Sequence, residues 1–169
     1  PKGIGFWPAF WLMPSEDIRW PVGGEIDILE NRGRISNISS SALHFGKQWN
    51  KKSTLVGEAL IPRQVRFQDK FHSISLVWKE NVIAFYLDNS SDPYFTINSD
   101  HSEFKKYKYP FNRDYYMILN VAVGGKYDDY WVDFDAFCND EECSNKEDPD
   151  SHRFIIDWIE YIICRRYKF

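Results

Sequence analysis

Cysteine is scarce in this chain of 169 residues, which holds three. Cys138 and Cys143 flank a short polar stretch and can close a local disulfide in an oxidising compartment; Cys164 is left over, either as a buried thiol or with a partner outside the chain. Long apolar runs are also missing, and none approaches the roughly 20 residues of a membrane-spanning helix. There is no basic excess. Lys and Arg number 21 against 25 Asp and Glu, a formal charge of −4, which argues against a nucleic-acid partner because that role favours a basic face. No segment shows helix caps together with a 3.6-residue apolar period, and no repeat is visible. The length suits one domain, and the charge balance suits a partner that asks for no strong charge.

Aromatic residues are plentiful, at 18%. They can fill a core, and they also present flat apolar faces that suit a pyranose ring. Strand-like runs rich in Ile, Val, Phe, Tyr and Trp occur near 24–30, 39–45, 71–78, 82–88, 115–123 and 154–167. Lys79-Glu80-Asn81 breaks two of them as a hairpin turn would, and the acidic stretch 139–150 reads as an exposed loop. Many strands with polar turns between them predict an all-β sandwich or jelly roll.

The most informative stretch is Gly23-Gly24-Glu25-Ile26-Asp27-Ile28-Leu29-Glu30. It puts three carboxylates into an otherwise apolar strand, where ionised groups are costly. Side chains at i and i+2 share a face of a strand, so Glu25 and Asp27 point one way and Ile26 and Ile28 the other. Glu30 has the wrong parity. One extra residue, a β-bulge near Ile28 and Leu29, returns it to the face of Glu25 and Asp27. Two carboxylates flanking a glycosidic bond are the minimal equipment for cutting a sugar polymer, and a third between them, hydrogen-bonded to one, helps set which is protonated.

With these residues in view, the chain resembles glycoside hydrolase family 16, in its laminarinase (endo-β-1,3-glucanase) and β-1,3-glucan-binding branch. Gly24 to Glu30 resembles the catalytic strand in the form with the extra bulge residue. Gly5-Phe6-Trp7-Pro8-Ala9-Phe10-Trp11-Leu12-Met13-Pro14, Trp20-Pro21, Leu43-His44-Phe45-Gly46, Phe71-His72, Ile83-Ala84-Phe85-Tyr86-Leu87-Asp88, Pro110-Phe111, Leu119-Asn120-Val121-Ala122-Val123-Gly124-Gly125 and Ile156-Asp157-Trp158-Ile159 are similar to further family segments in the same order. The resemblance implies a concanavalin A-like β-jelly-roll sandwich with a carbohydrate groove. It implies a retaining endo-glycoside hydrolase acting on β-1,3-glucan, with Glu25 as nucleophile, Glu30 as general acid/base and Asp27 assisting. Trp20 and His44 would line the subsite next to the cleavage point, and Trp7 and Trp11 would lie near or under the groove.

No cofactor is required on this reading. Asp157 matches a position that often joins a structural calcium site in the family. The substrate class implies a secreted protein, expected as a monomer. The alternatives are a non-catalytic β-1,3-glucan recognition protein, or a hydrolase or transglycosylase on another β-linked glucan or galactan. Family members carry several strands before the segment that starts here near Gly5, so residues 1–169 are expected to be the C-terminal two-thirds of a single domain, with sheet edges left uncovered.

Overall fold

The structure, a computed structural model, describes residues 1–131 and 153–163. Eight strands and one short helix follow in the order β1 (Phe6–Pro14), β2 (Glu25–Asn31), β3 (Ile38–Gln48), β4 (Lys51–Leu60), β5 (Ile74–Lys79), β6 (Val82–Leu87), β7 (Phe95–Asn98), α1 (Ser102–Tyr107) and β8 (Tyr115–Val123). They form two antiparallel sheets, one in the order β4-β3-β2-β1-β8 and the other β5-β6-β7. The architecture is a β-jelly-roll sandwich, as the strand runs and the resemblance both predict.

Alternation along the strands decides what lies between the sheets. Leu12 of β1, Ile26 and Ile28 of β2, and Leu43 and Phe45 of β3 share the inner face. They pack with Ile83, Phe85 and Ile97 of the smaller sheet and with Phe104 and Phe111. Burying each such side chain stabilises the fold by about 1.5–3 kcal/mol. The larger sheet therefore has one face committed to the core, and its opposite face carries Glu25, Asp27 and Glu30.

Several elements escape the sequence reading. β1 contains Pro8 and ends at Pro14, which weakens its strand signal, yet it pairs along its length with β8. β4 begins with two lysines and is interrupted by Gly57, and its pairing with β3 rather than its own propensity makes it a strand. β7 has four residues, and α1 with six is too short to show a period.

The expected strand at 154–167 is corrected over its described part. Residues 153–163 form no strand and are almost wholly exposed. β-branched density makes a segment fit for a sheet, but a strand exists only with a partner to hydrogen-bond, and no described strand pairs with it. The rest of that run, the 139–150 loop and all three cysteines lie outside the described residues.

Among the described residues β8 is an edge strand. Met117, Leu119, Val121 and Val123 sit opposite Leu12, Phe10, Pro8 and Phe6, on the core side of the sheet. All four are exposed.

Candidate active site

The bulge is present. On β3, positions 44, 42 and 40 alternate on one face, and they pair with Glu25, Asp27 and Glu30 in turn. Three residues of β2 thus span two of β3 between Asp27 and Glu30. The same jump appears against β1, where Asp27 pairs with Trp11 and Glu30 with Ala9. The inserted residue restores Glu30 to the face of the other two carboxylates. The serine run of β3 closes the backbone around it. Ser41 Oγ donates to the Ile28 carbonyl at 2.6 Å, and Ser39 Oγ and Ser40 Oγ donate to the Glu30 carbonyl at 3.2 and 3.5 Å. Buried carbonyls near a bulge need such partners.

Each outer carboxylate holds one indole N–H. Trp20 Nε1 donates to Glu25 Oε2 at 2.6 Å, and Trp7 Nε1 donates to Glu30 Oε1 at 3.0 Å. Trp20 reaches Glu25 from the loop between β1 and β2. That loop ends at Gly24, where φ is +84° and an added Cβ would fall 2.6 Å from the Tyr115 hydroxyl, so only glycine fits. Asp27, in the middle, is 4% exposed. His44 stands across from Glu25, its Nε2 3.1 Å from Asp27 Oδ2 and 4.0 Å from Glu25 Oε1, while its Nδ1 lies 2.8 Å from Thr54 Oγ1.

This setting drives the protonation states apart. Burial, reinforced by the charge of Asp27, pushes Glu25 up to about 6 against the pull of His44, the Trp20 hydrogen bond and Lys52. Burial pushes Asp27 up to about 7, opposed by its hydrogen bond with Glu25. Glu30 goes highest, to about 8, through burial and then the charge of Asp27. Burial holds His44 below its ordinary value. Near neutral pH the row therefore holds an ionised carboxylate at one end and a carboxylic acid at the other.

Of the predicted site residues, Glu25, Asp27, Glu30, Trp20, His44 and Trp7 come together. Trp11 lies on the same face, but its Nε1 is taken by Asn120 Oδ1 at 2.8 Å. Asp157 is set apart, exposed in residues 153–163. Among the described residues, Glu25, Asp27 and His44 are the group whose ligand atoms lie close enough to share an ion, all within 4.8 Å of one another. Its imidazole suits a transition metal better than calcium. Asp157 belongs to no such group, so the calcium reading rests on the resemblance.

Two parts of the site were not predicted. Trp49, at the β3–β4 turn, is 69% exposed and its ring centre lies 5.0 Å from that of Trp20, with Lys52 Nζ 5.2 Å from the Trp20 ring and 5.7 Å from the Trp49 ring. Tyr127 stacks on Trp7, ring centres 4.9 Å apart. Trp49 had a usable signal, an aromatic between lysines a few residues past His44. Tyr127 had none, because only the chain path brings it to Trp7.

Comparison with known proteins identifies the family. The sequence model of Glycosyl hydrolases family 16 matches residues 1–135. A glucan endo-1,3-beta-glucosidase of Cryptopygus antarcticus is 37% identical over 135 residues, covering 75% of this chain and 48% of that protein. Glucan endo-1,3-beta-glucosidase A1 of Niallia circulans is 35% identical, covering 76% of this chain and 19% of its own length. Among solved structures, the laminarinase catalytic domain of Thermotoga maritima superposes with a TM-score of 0.70 at 28% identity, covering 80% of this chain and 54% of that one. The chain thus spans about half or less of the length of these relatives.

Proposed function

The chain belongs to glycosyl hydrolases family 16, and from that membership we propose that the protein is a retaining endo-β-1,3-glucanase. The observation that carries this reading is the row of Glu25, Asp27 and Glu30 on one face of β2, with a bulge that aligns it and surroundings that leave one end ionised and the other protonated.

In the first step the Glu25 carboxylate attacks the anomeric carbon. The bond to the bridging oxygen breaks, and Glu30 delivers its proton to that oxygen, releasing one half of the chain. Forming the ester removes the charge of Glu25, which had helped to hold the Glu30 proton. The pKa of Glu30 then falls, so it stays ionised and free to act as the general base. It takes a proton from water, the oxygen attacks the same carbon, and Glu25 leaves as a carboxylate. Two inversions give net retention. Asp27, hydrogen-bonded to Glu25, takes up part of the proton and charge changes of its neighbour. Trp20, beside Glu25 with its N–H on the carboxylate, offers a ring face to the sugar being cut. Trp49 extends that aromatic surface by one ring.

The family similarity to endo-1,3-beta-glucosidases supports β-1,3-glucan as the substrate. A polysaccharide substrate, and cysteines spaced for a local disulfide, support a secreted protein. We carry the monomeric state and the calcium at Asp157 as proposals of the same reading, checked by sedimentation and by calcium-dependent melting.

The test uses the full-length protein with laminarin and with mixed-linkage glucan. Reducing ends should appear, and Glu25→Gln should abolish them. Proton NMR of the first product should show the β anomer. An α anomer would remove the double displacement. A β-1,3-glucan-binding protein of Penaeus monodon is also similar, at 31% identity. Binding without cleavage by the wild type would therefore make this a recognition protein.

A further inference from the structure

The end of the carboxylate row at Glu30 is gripped by residues far along the chain. Tyr127 sits in a short 3₁₀ turn, Lys126–Asp128, just after Gly124-Gly125. Its ring stacks on Trp7 with the planes 22° apart, and Trp7 is the residue that donates to Glu30 Oε1. Its hydroxyl lies 3.3 Å from the backbone carbonyl of Glu30 and makes a close contact with Ser40 Oγ. Tyr127 therefore touches the backbone of Glu30 directly and its carboxyl group through Trp7.

The turn is itself anchored. The Arg32 guanidinium lies 4.1 Å from the centre of the Tyr127 ring, and its Nε donates to the Tyr127 carbonyl at 3.0 Å. Next door, Asp128 is 1% exposed. Arg34 Nε donates to its Oδ2 at 3.0 Å, and Arg34 Nη2 lies 2.8 Å from its Oδ1. A charge-assisted hydrogen bond to a buried carboxylate fixes the turn as well as offsetting its charge. Gly125, at φ +100°, lies so close to Trp7 that a Cβ there would fall 3.1 Å from the indole ring. Trp7 is thus confined from the side facing this turn.

We propose that Tyr127 is a positioning residue for Glu30, acting through Trp7 to hold the carboxyl group where it meets the bridging oxygen. The proposal rests on Glu30 being the general acid/base. An acid that donates in the transition state contributes about 10²–10⁴-fold, and only when held within hydrogen-bond reach. A pocket wall that merely fills space would not discriminate between substrates by their need for a proton. A positioning residue would.

The experiment compares laminarin, whose leaving sugar needs that proton, with a 2,4-dinitrophenyl β-laminaribioside, whose phenolate leaves without it. In the full-length protein, Tyr127→Leu should lower kcat on laminarin by about 10- to 100-fold and change the rate of the first-turnover phenolate burst, which needs no proton from Glu30, by about twofold at most. Trp7→Phe, which removes the donor but keeps an aromatic ring, should show the same split. Adding Tyr127→Leu to Trp7→Phe should change the ratio no further, since one contact relays the other. Tyr127→Phe, which keeps the stack and loses only the hydroxyl contact with the Glu30 carbonyl, should lose less on laminarin than Tyr127→Leu.

Equal losses on both substrates, or full additivity in the double variant, would overturn the positioning role while leaving the glucanase reading intact. If the wild type cuts neither substrate, the glucanase reading fails instead. Carbon-13 NMR titration of Glu30 then decides the positioning role. A Glu30 titration displaced by Tyr127→Leu and by Trp7→Phe supports it, and an unmoved titration overturns it.

Discussion

The two ends of the carboxylate row are built from like parts and behave differently. Each glutamate accepts one indole N–H, from Trp20 at Glu25 and from Trp7 at Glu30. Around Glu25 the second layer is open, with the Lys52 ammonium, the His44 ring and the exposed Trp49. Around Glu30 it is closed, with Tyr127 over Trp7 and the arginines nearby spent on the buried Asp128. Two identical side chains with equivalent donors thus stand at about 6 at one end and about 8 at the other, through burial first and then through the charges around each. Role follows from environment, as it must when one residue type serves as both nucleophile and acid.

The sharpest break of this comparison is to neutralise each end. Glu25→Gln and Glu30→Gln should each lower laminarin cleavage by at least about 10³-fold. They should separate on an activated aryl glycoside. Glu30→Gln should still release phenolate in a burst and then stall for want of a base, while Glu25→Gln should give no burst. Stopped-flow absorbance reads both. Identical behaviour of the two variants would mean that the ends are not chemically distinct.

The next test removes one donor at a time. An N–H on a carboxylate favours its charged form, so its loss raises the pKa. Activity on laminarin requires Glu25 ionised and Glu30 protonated, which gives a bell between about pH 6 and 8. Trp20→Phe should move the acidic limb upward, with a loss of several-fold at pH 7, and Trp7→Phe should move the basic limb upward, on top of its loss of about 10- to 100-fold in kcat. A pH–rate series on kcat/KM checks it. Movement of the same limb by both variants would contradict the assignment.

Stability gives a smaller and independent signal. Glu30 binds its proton more tightly in the fold, at about 8, than in the unfolded chain, whose ordinary value is 4.5. Between these values the unfolded state releases the proton first, so stability falls as pH rises through the window. Glu30→Gln cannot ionise. It should melt above the wild type at pH 8, with the gap closing toward pH 4.5. Each kcal/mol is worth roughly 2–4 °C at this size. An unchanged gap across that range would mean that Glu30 is not a raised acid.

Much of this was legible in the residues. The parity of Glu25, Asp27 and Glu30 demanded a bulge before any coordinates, because strand side chains alternate strictly. The family resemblance placed Leu43-His44-Phe45-Gly46 on the following strand. What stayed hidden depends on pairing across long separations. β4 reads poorly as a strand until β3 stands next to it, and residues 154–163 read well as a strand but find no described partner. Trp7 could be placed near the groove by resemblance, but nothing in residues 126–128 announces that Tyr127 will stack on it or that Asp128 will bury its charge between Arg32 and Arg34. Periodicity reports a face, and not what a loop 120 residues away brings to that face.

The finest test of the comparison lies at the open end. Between Glu30 and Glu58 the chain carries Arg32, Arg34, Lys47, Lys51 and Lys52 and no carboxylate, so the β3–β4 hairpin is positively charged in an acidic protein. Of these, Lys52 acts on Glu25, favouring its ionised form. Its ammonium lies over the Trp20 ring, which is half-exposed, and water and salt there screen a charge strongly. Lys52→Met should therefore raise the acidic limb only slightly and lower kcat/KM at pH 6 by about twofold. Raising ionic strength in the wild type should imitate it, and the variant should respond less to salt. Trp7 and Glu30, shielded by Tyr127, should show no such salt dependence in the basic limb. If both limbs moved equally with salt, the distinction between an open cationic end and a closed aromatic end would fail, and the gap between the two glutamates would have to come from burial of their carboxyl groups alone.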